Sequence, residues 1–142
     1  MERLKAAVVD SSVLLKWFRP EEPQAGTAVA LRQAYVEERL ELVIPDLSAY
    51  ELANVLRYRA SETVALQAVE SLFDLRVPIH RMDRPILQRA IQEGVRYGIT
   101  VYDAVFLAVA EALHLQLVTA DRRFYQAIRR LPKVFLLSDL KV

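Results

Sequence analysis

The sequence predicts an α/β fold: a mostly parallel central sheet covered by helices on both faces. Two observations carry this. Short apolar runs of strand length alternate with helical patterns along the whole chain, and the first run passes straight into a helix. Ala6-Ala7-Val8-Val9 reads as a strand ending at Asp10, followed by a helix over Val13 to Phe18. Pro20-Glu21-Glu22-Pro23 reads as a loop, Gln24 to Arg39 carries helix formers, and Leu42-Val43-Ile44 is a second strand stopped by Pro45. Helical patterns cover Ser48 to Arg59 and Ser61 to Phe73, and Val77 to Met82 reads as a strand. Pro85 suits the first turn of the next helix. Beyond Gly98 the pattern predicts a helix over Thr100 to His114, a strand over Leu115 to Thr119, a helix over Arg122 to Arg130 and a strand over Lys133 to Leu137.

At 142 residues the chain is the size of one domain, and residues 1–142 are expected to share one core. Hydrophobic residues make up 54% of it, but charges interrupt every apolar run short of the roughly 20 residues a membrane helix needs. Met1 to Asp10 lacks the pattern of a signal peptide, so a soluble, cytoplasmic protein with no membrane partner is expected. The absence of cysteine excludes disulfides, thiolate metal sites and cysteine nucleophiles. Any metal must therefore sit on oxygen or histidine. With glycine only at positions 26, 94 and 98, no Gly-rich phosphate loop or dinucleotide fingerprint can form. The formal charge of +1 decides nothing about nucleic acid, because a groove can be locally basic on a nearly neutral protein.

In open parallel sheets, ligands bind beyond the carboxyl ends of the strands. Asp10 ends the first strand, Glu51 follows the second, and Asp121 follows the strand that closes at Thr119. Asp103 starts a helix whose very short connection at His114 makes helix and strand antiparallel neighbours, which brings Asp103 to the same edge. Each acid also has a structural account. Ser48-Ala49-Tyr50-Glu51 and Thr100-Val101-Tyr102-Asp103 match the capping box, Asp121 can cap the last helix, and Asp10 can start a turn. What a cap does not explain is four like charges at one edge, which repel unless cations lie between them. Hard carboxylate ligands suit Mg²⁺ or Mn²⁺.

Four segments carry a family resemblance. They are Val9-Asp10-Ser11-Ser12, Tyr50-Glu51-Leu52-Ala53-Asn54, Thr100-Val101-Tyr102-Asp103-Ala104, and Leu117-Val118-Thr119-Ala120-Asp121 followed by Phe124. In this order and spacing the chain resembles, nearly end to end, the PIN-domain family and in particular the VapC-type toxins of toxin–antitoxin pairs. The resemblance implies a PIN-like fold, RNA phosphodiester hydrolysis, and Mg²⁺ or Mn²⁺ held by Asp10, Glu51, Asp103 and Asp121. It implies that the hydroxyls of Ser12 and Thr119 orient a carboxylate or a water. It further implies a homodimer and a protein antitoxin of VapB type. Many relatives have another acid after the last motif; here Arg122 and Arg123 stand there instead.

Arg57, Arg59, Arg122 and Arg123 are candidate contacts for RNA phosphates, with solvated helix faces as the competing account. Ser11 and Ser12 do not make a serine hydrolase, since no Gly-x-Ser-x-Gly elbow exists, and His80 and His114 lack ligand spacing. A phosphoaspartyl enzyme would place a second acid shortly after Asp10, where serines stand. Trp17, Phe18, Phe73 and Phe106 are expected in the core. The alternative from another class is a non-catalytic PIN-like module that binds RNA or protein and keeps its acids as caps.

Overall fold

The computed structural model describes residues 4–142; the opening part of the signal-peptide reading, residues 1–3, lies outside them. The elements run β1 Ala6–Val9, α1 Ser11–Phe18, α2 Ala25–Val36, β2 Glu41–Pro45, α3 Leu47–Arg59, α4 Glu62–Asp74 and β3 Ile79–His80. They continue with α5 Arg84–Tyr97, α6 Val101–Ala112, β4 Gln116–Thr119, α7 Arg122–Ile128, β5 Val134–Leu136 and a 3₁₀ turn at Leu137–Asp139. Every pairing in the sheet is parallel, in the order β3-β2-β1-β4-β5.

β1 is an unbroken apolar run because both faces of its sheet are covered. Side chains alternate across a strand, so Ala7 and Val9 enter one core while Val8 enters the other. The first core joins Val13, Leu14 and Trp17 of α1, Leu31 of α2, Leu52 and Leu56 of α3 and Leu72 of α4. The second joins Ile86 and Ala90 of α5, Phe106, Leu107 and Val109 of α6, and Phe124 and Ile128 of α7. Trp17 can be buried because its indole N–H donates to the Ala28 carbonyl at 2.8 Å. No helix among the described residues is long and apolar enough to cross a membrane.

The structure departs from expectation in places. The third strand keeps only Ile79 and His80 of the predicted Val77 to Met82; it is a sheet edge paired on one side to Ile44 and Pro45. Pro45 ends inside β2 rather than before it. Phe73 is exposed on α4, whereas Trp17 and Phe106 are buried as expected and Phe18 packs partly against the first core. Phe73 is the last residue but one of α4, beside the stripe that ends in the buried Leu72.

The α6–β4 joint sets the position of the site. Leu115 N–H donates to the Ala110 carbonyl at 2.8 Å and His114 N–H to the Glu111 carbonyl at 3.2 Å, the paired bonds of a Schellman motif. His114 occupies the left-handed position, with φ 56°. This reverses the chain in one step, so α6 begins at the carboxyl edge of the sheet. Glycine favours that position, because the left-handed region costs an L-residue roughly 1 kcal/mol. His114→Gly is therefore expected to stabilise the fold by about 0.5–1 kcal/mol, and His114→Val to destabilise it, as read from urea unfolding midpoints. Equal midpoints for the two variants would contradict the strained-turn account.

Candidate active site

Asp10 sits where the central strand ends, with β2 on one side and β4 on the other, the crevice position in this topology. Its N–H continues the ladder to the Val118 carbonyl at 3.1 Å, and its carboxylate caps α1 by accepting from Ser12 N–H at 3.0 Å. The Ser12 hydroxyl donates to the same oxygen, and the buried Thr119 hydroxyl donates to the other. Each hydroxyl is itself oriented by a backbone donor: Ala120 N–H reaches Ser12 Oγ at 2.9 Å and Asp121 N–H reaches Thr119 Oγ1 at 3.0 Å. The carboxylate is thus held rigidly. Even so, burial pushes the Asp10 pKa up to about 6, against the lowering effect of the Ser12 and Thr119 hydrogen bonds and with a smaller contribution from the Asp103 charge.

The other acids arrive on helix starts. Thr100 caps α6 by accepting from Asp103 N–H at 3.1 Å, which places Asp103 in the first turn. Asp121 caps α7, accepting from Arg123 N–H at 2.9 Å and Phe124 N–H at 3.1 Å. Glu51 lies in α3, and its Oε1 accepts from Ser11 Oγ at 2.7 Å. Burial first, then the charges of Asp121 and Glu51, push the half-buried Asp103 up to about 6. All four acids line one cleft of about 400 Å³ together with Ser11, Ser12, Lys16, Glu22 and Arg59.

The predicted convergence is present, and so are two of the capping roles. Asp10 and Asp121 are caps as well as cleft residues. The capping box at Ser48 is not formed. α3 starts a residue earlier, Ser48 is fully buried with no partner for its hydroxyl among the described residues, and Glu51 turns to Ser11 instead. At Thr100 only the hydroxyl half of the box is made. His80 lies 3.7 Å from Asp83, and His114 is in its turn; neither lines the acid cleft. Sequence reading missed three residues. Ser11 is next to Asp10 but turns to the opposite partner; Lys16 falls one helical turn beyond Ser12; Glu22 comes from a loop with no local signal.

As the side chains stand, no group of three or more His, Asp or Glu residues among those described is arranged to close on one metal ion. The hydrogen bonds above account for this, since each of Asp10, Glu51 and Asp121 is drawn toward a protein donor. The donor set nevertheless fits a hard cation: it is all carboxylate, among the described residues Asp10 Oδ2 accepts from Thr119 alone and the bonds to Glu51 and Asp121 use one oxygen each, and two of the four acids are destabilised as anions. A bound cation or a proton relieves that cost.

A sheet of this order with an acid cleft at its carboxyl edge defines a class of acid-centred α/β domain, and the PIN domain family model matches residues 7–129. The chain belongs to the PIN-domain family. It is 33% identical over 123 residues to Ribonuclease VapC3 of Pyrobaculum aerophilum, covering 82% of this chain and 89% of that one. Among solved structures, it shares its fold with VapC20 of Mycobacterium tuberculosis, described as a sarcin-ricin loop cleaving toxin. That match has TM-score 0.69 and 18% identity, over 86% of this chain and 95% of the other. A toxin–antitoxin complex from Klebsiella pneumoniae gives TM-score 0.65 at 20% identity, over 90% of this chain and 94% of that one.

The raised pKa values have a measurable consequence for the metal-free protein. Asp103 binds its proton more tightly folded, at about 6, than unfolded, near 3.8. The folded state therefore holds more protons in this window, and this contribution is lost as pH rises through it. In EDTA at pH 7, Asp103→Asn should be more stable than wild type by on the order of 1 kcal/mol, partial exposure having screened the repulsion. That advantage should shrink toward pH 4, where wild type is protonated. A gap that stays constant from pH 7 to pH 4 would remove the electrostatic account.

Proposed function

We infer that this chain, read as one domain over residues 1–142, is a metal-dependent endoribonuclease of VapC type, the toxin of a VapBC-type pair. The observation that carries the reading is the meeting of Asp10, Glu51, Asp103 and Asp121 in one cleft of a PIN-family chain. The ribonuclease name of the curated relative supports RNA as substrate. Asp10, Glu51, Asp103 and Asp121 would hold Mg²⁺ or Mn²⁺. The chemistry such a cation supplies when bound is a water acidic enough to attack phosphorus near neutral pH, and positive charge to offset the leaving oxygen. Ser12 and Thr119 fix the Asp10 carboxylate, and Ser11 steadies Glu51, which limits the side-chain freedom these groups would lose on binding. No side chain in the cleft offers an activated serine, since no histidine lines it.

The purified protein is expected to cut single-stranded or looped RNA in Mg²⁺ or Mn²⁺ and to leave 5′-phosphates. Asp103→Asn should lower the rate at least about a hundredfold, roughly 2.7 kcal/mol of barrier, and EDTA should abolish cleavage. Products ending in 2′,3′-cyclic phosphate would mean that the RNA's own hydroxyl attacks. Cleavage that survives Asp103→Asn would belong to a contaminant and leave the non-catalytic module as the better reading.

The Klebsiella complex and the family resemblance support a protein antitoxin as partner; the family resemblance alone carries a homodimer as the toxin's own state, and the composition carries the reading that it acts in the cytoplasm. An Arg or Lys of the antitoxin entering the acid cleft is one way to silence it. Co-purification from the native host should recover a companion that suppresses cleavage. Recovery of free monomer alone, with full nuclease activity, would count against the toxin assignment.

A further inference from the structure

The acid cleft changes sign along its length. On α1, Ser12 and Lys16 are four residues apart and both line it; on α3, Glu51, Val55 and Arg59 follow at the same interval and all line it. At 1.5 Å per residue, each interval is a rise of about 6 Å, so Lys16 stands roughly one turn beyond the acids and Arg59 roughly two turns beyond Glu51. By this helical rise Asp10 and Glu51 lie toward the helix starts and the two cations farther along, where Glu22 accompanies Arg59.

The four arginines named from the sequence separate on this basis. Arg57 stacks over the Tyr58 ring at 4.8 Å and lines a different groove, between α3 and α4, with Ala53, Ala60 and Leu66. Arg122 and Arg123 are exposed and do not line the acid cleft. Arg59 remains, and Lys16 joins it. Lys16 is half-buried and makes no ion pair within 4 Å among the described residues, although five carboxylates share its cleft. Arg59 is the more exposed partner of a long ion pair to Glu22, at 3.9 Å. Glu22 is brought there by Arg19, whose guanidinium pairs with Glu21 and donates to the Arg59 carbonyl, tying the loop after α1 to the end of α3. A pair this long and this exposed contributes little and is readily exchanged.

We propose that Lys16 and Arg59 hold the RNA phosphates adjacent to the one cleaved, and that Glu22 occupies Arg59 until an RNA phosphate displaces it. The identity of the ligand rests on the nuclease reading above; the placement of the cations does not. Phosphate contacts fix the register of a strand without reading its bases, so these two residues would set how far along the RNA the acids fall.

The test uses the Asp103→Asn chain, which binds without cutting, and a fluorescently labelled single-stranded RNA oligonucleotide in Mg²⁺, followed by anisotropy over a salt series. Adding Lys16→Gln or Arg59→Gln should each weaken binding about tenfold and reduce the salt slope by about one. Lys16→Arg should restore it, and Glu22→Gln should tighten binding about two- to threefold by freeing Arg59. Glutamine keeps much of each stem, and equal thermal melts show that the fold is intact. In otherwise wild-type protein the same Gln changes should raise KM and leave kcat nearly unmoved. A lysine that merely offsets the acids would change Mg²⁺ affinity and melting temperature while RNA affinity and salt slope stayed the same, and that result overturns the proposal. Loss of RNA affinity in a protein that never cleaves would leave the phosphate sites standing and sink the nuclease reading. An Asp103→Asn chain with no RNA affinity at all would sink both.

Discussion

The rest of the structure depends on one buried charge, the Asp10 carboxylate at the end of the central strand. Burying a carboxylate costs several kcal/mol unless donors meet it. Here they come from two directions: Ser12 from the helix that Asp10 itself caps, and Thr119 from the neighbouring strand β4. The β1–β4 register must therefore hold Val9 opposite Val118, or Thr119 would miss its partner. Because side chains alternate along a strand, a slip of one residue would also turn Leu117 and Val118 into each other's cores. The site and the sheet are stabilised by the same alignment.

Four like charges are tolerated at this edge because helix N-termini converge on it. α1 and α7 start on Asp10 and Asp121, and α6 is capped by Thr100, three residues before Asp103, so backbone N–H groups and positive dipole ends face the acids. Capping and cleft chemistry are consequently not rival accounts of Asp10 and Asp121. Each caps through Oδ1, and among the described residues Oδ2 accepts only from Thr119 in Asp10 and from no donor in Asp121, so a lone pair remains for a cation. What the caps do not remove is the mutual repulsion and desolvation, which shows in the raised pKa values of Asp10 and Asp103. The cleft is best satisfied when it shares its charge with a ligand.

The expectations that failed share a cause. The Ser48 box was a local pattern, and its failure came from contacts distant in sequence: α3 packs so that Ser48 faces inward, and Glu51 meets Ser11, forty residues away. The third strand shortened because an edge strand paired on one side keeps only the residues its neighbour β2 can meet. Phe73 looked like core by composition, but hydrophobicity alone does not say which side of α4 faces the sheet. The loop that carries Glu22 has no periodicity to read, so its approach to Arg59 was invisible until the Arg19 bonds placed it.

By itself the sequence determined what local physics controls. Apolar runs of strand length, helical spacing and the short joint at His114 were enough for a mostly parallel sheet covered on both faces. The placement of Asp10, Glu51 and Asp121 then followed, because in such a sheet the strand ends lie at one edge, and that of Asp103 followed from the tight joint that makes α6 antiparallel to β4. Tertiary structure alone decided which hydroxyl serves which carboxylate: Ser12 and Thr119 both go to Asp10, while Ser11 goes to Glu51. It also decided which cations enter the cleft, admitting Lys16 and Arg59 and leaving Arg57, Arg122 and Arg123 outside. The physical reason is range. Strand and helix periodicity is written within a few residues, whereas hydrogen bonds and charges act across a few ångströms between segments that only folding brings together.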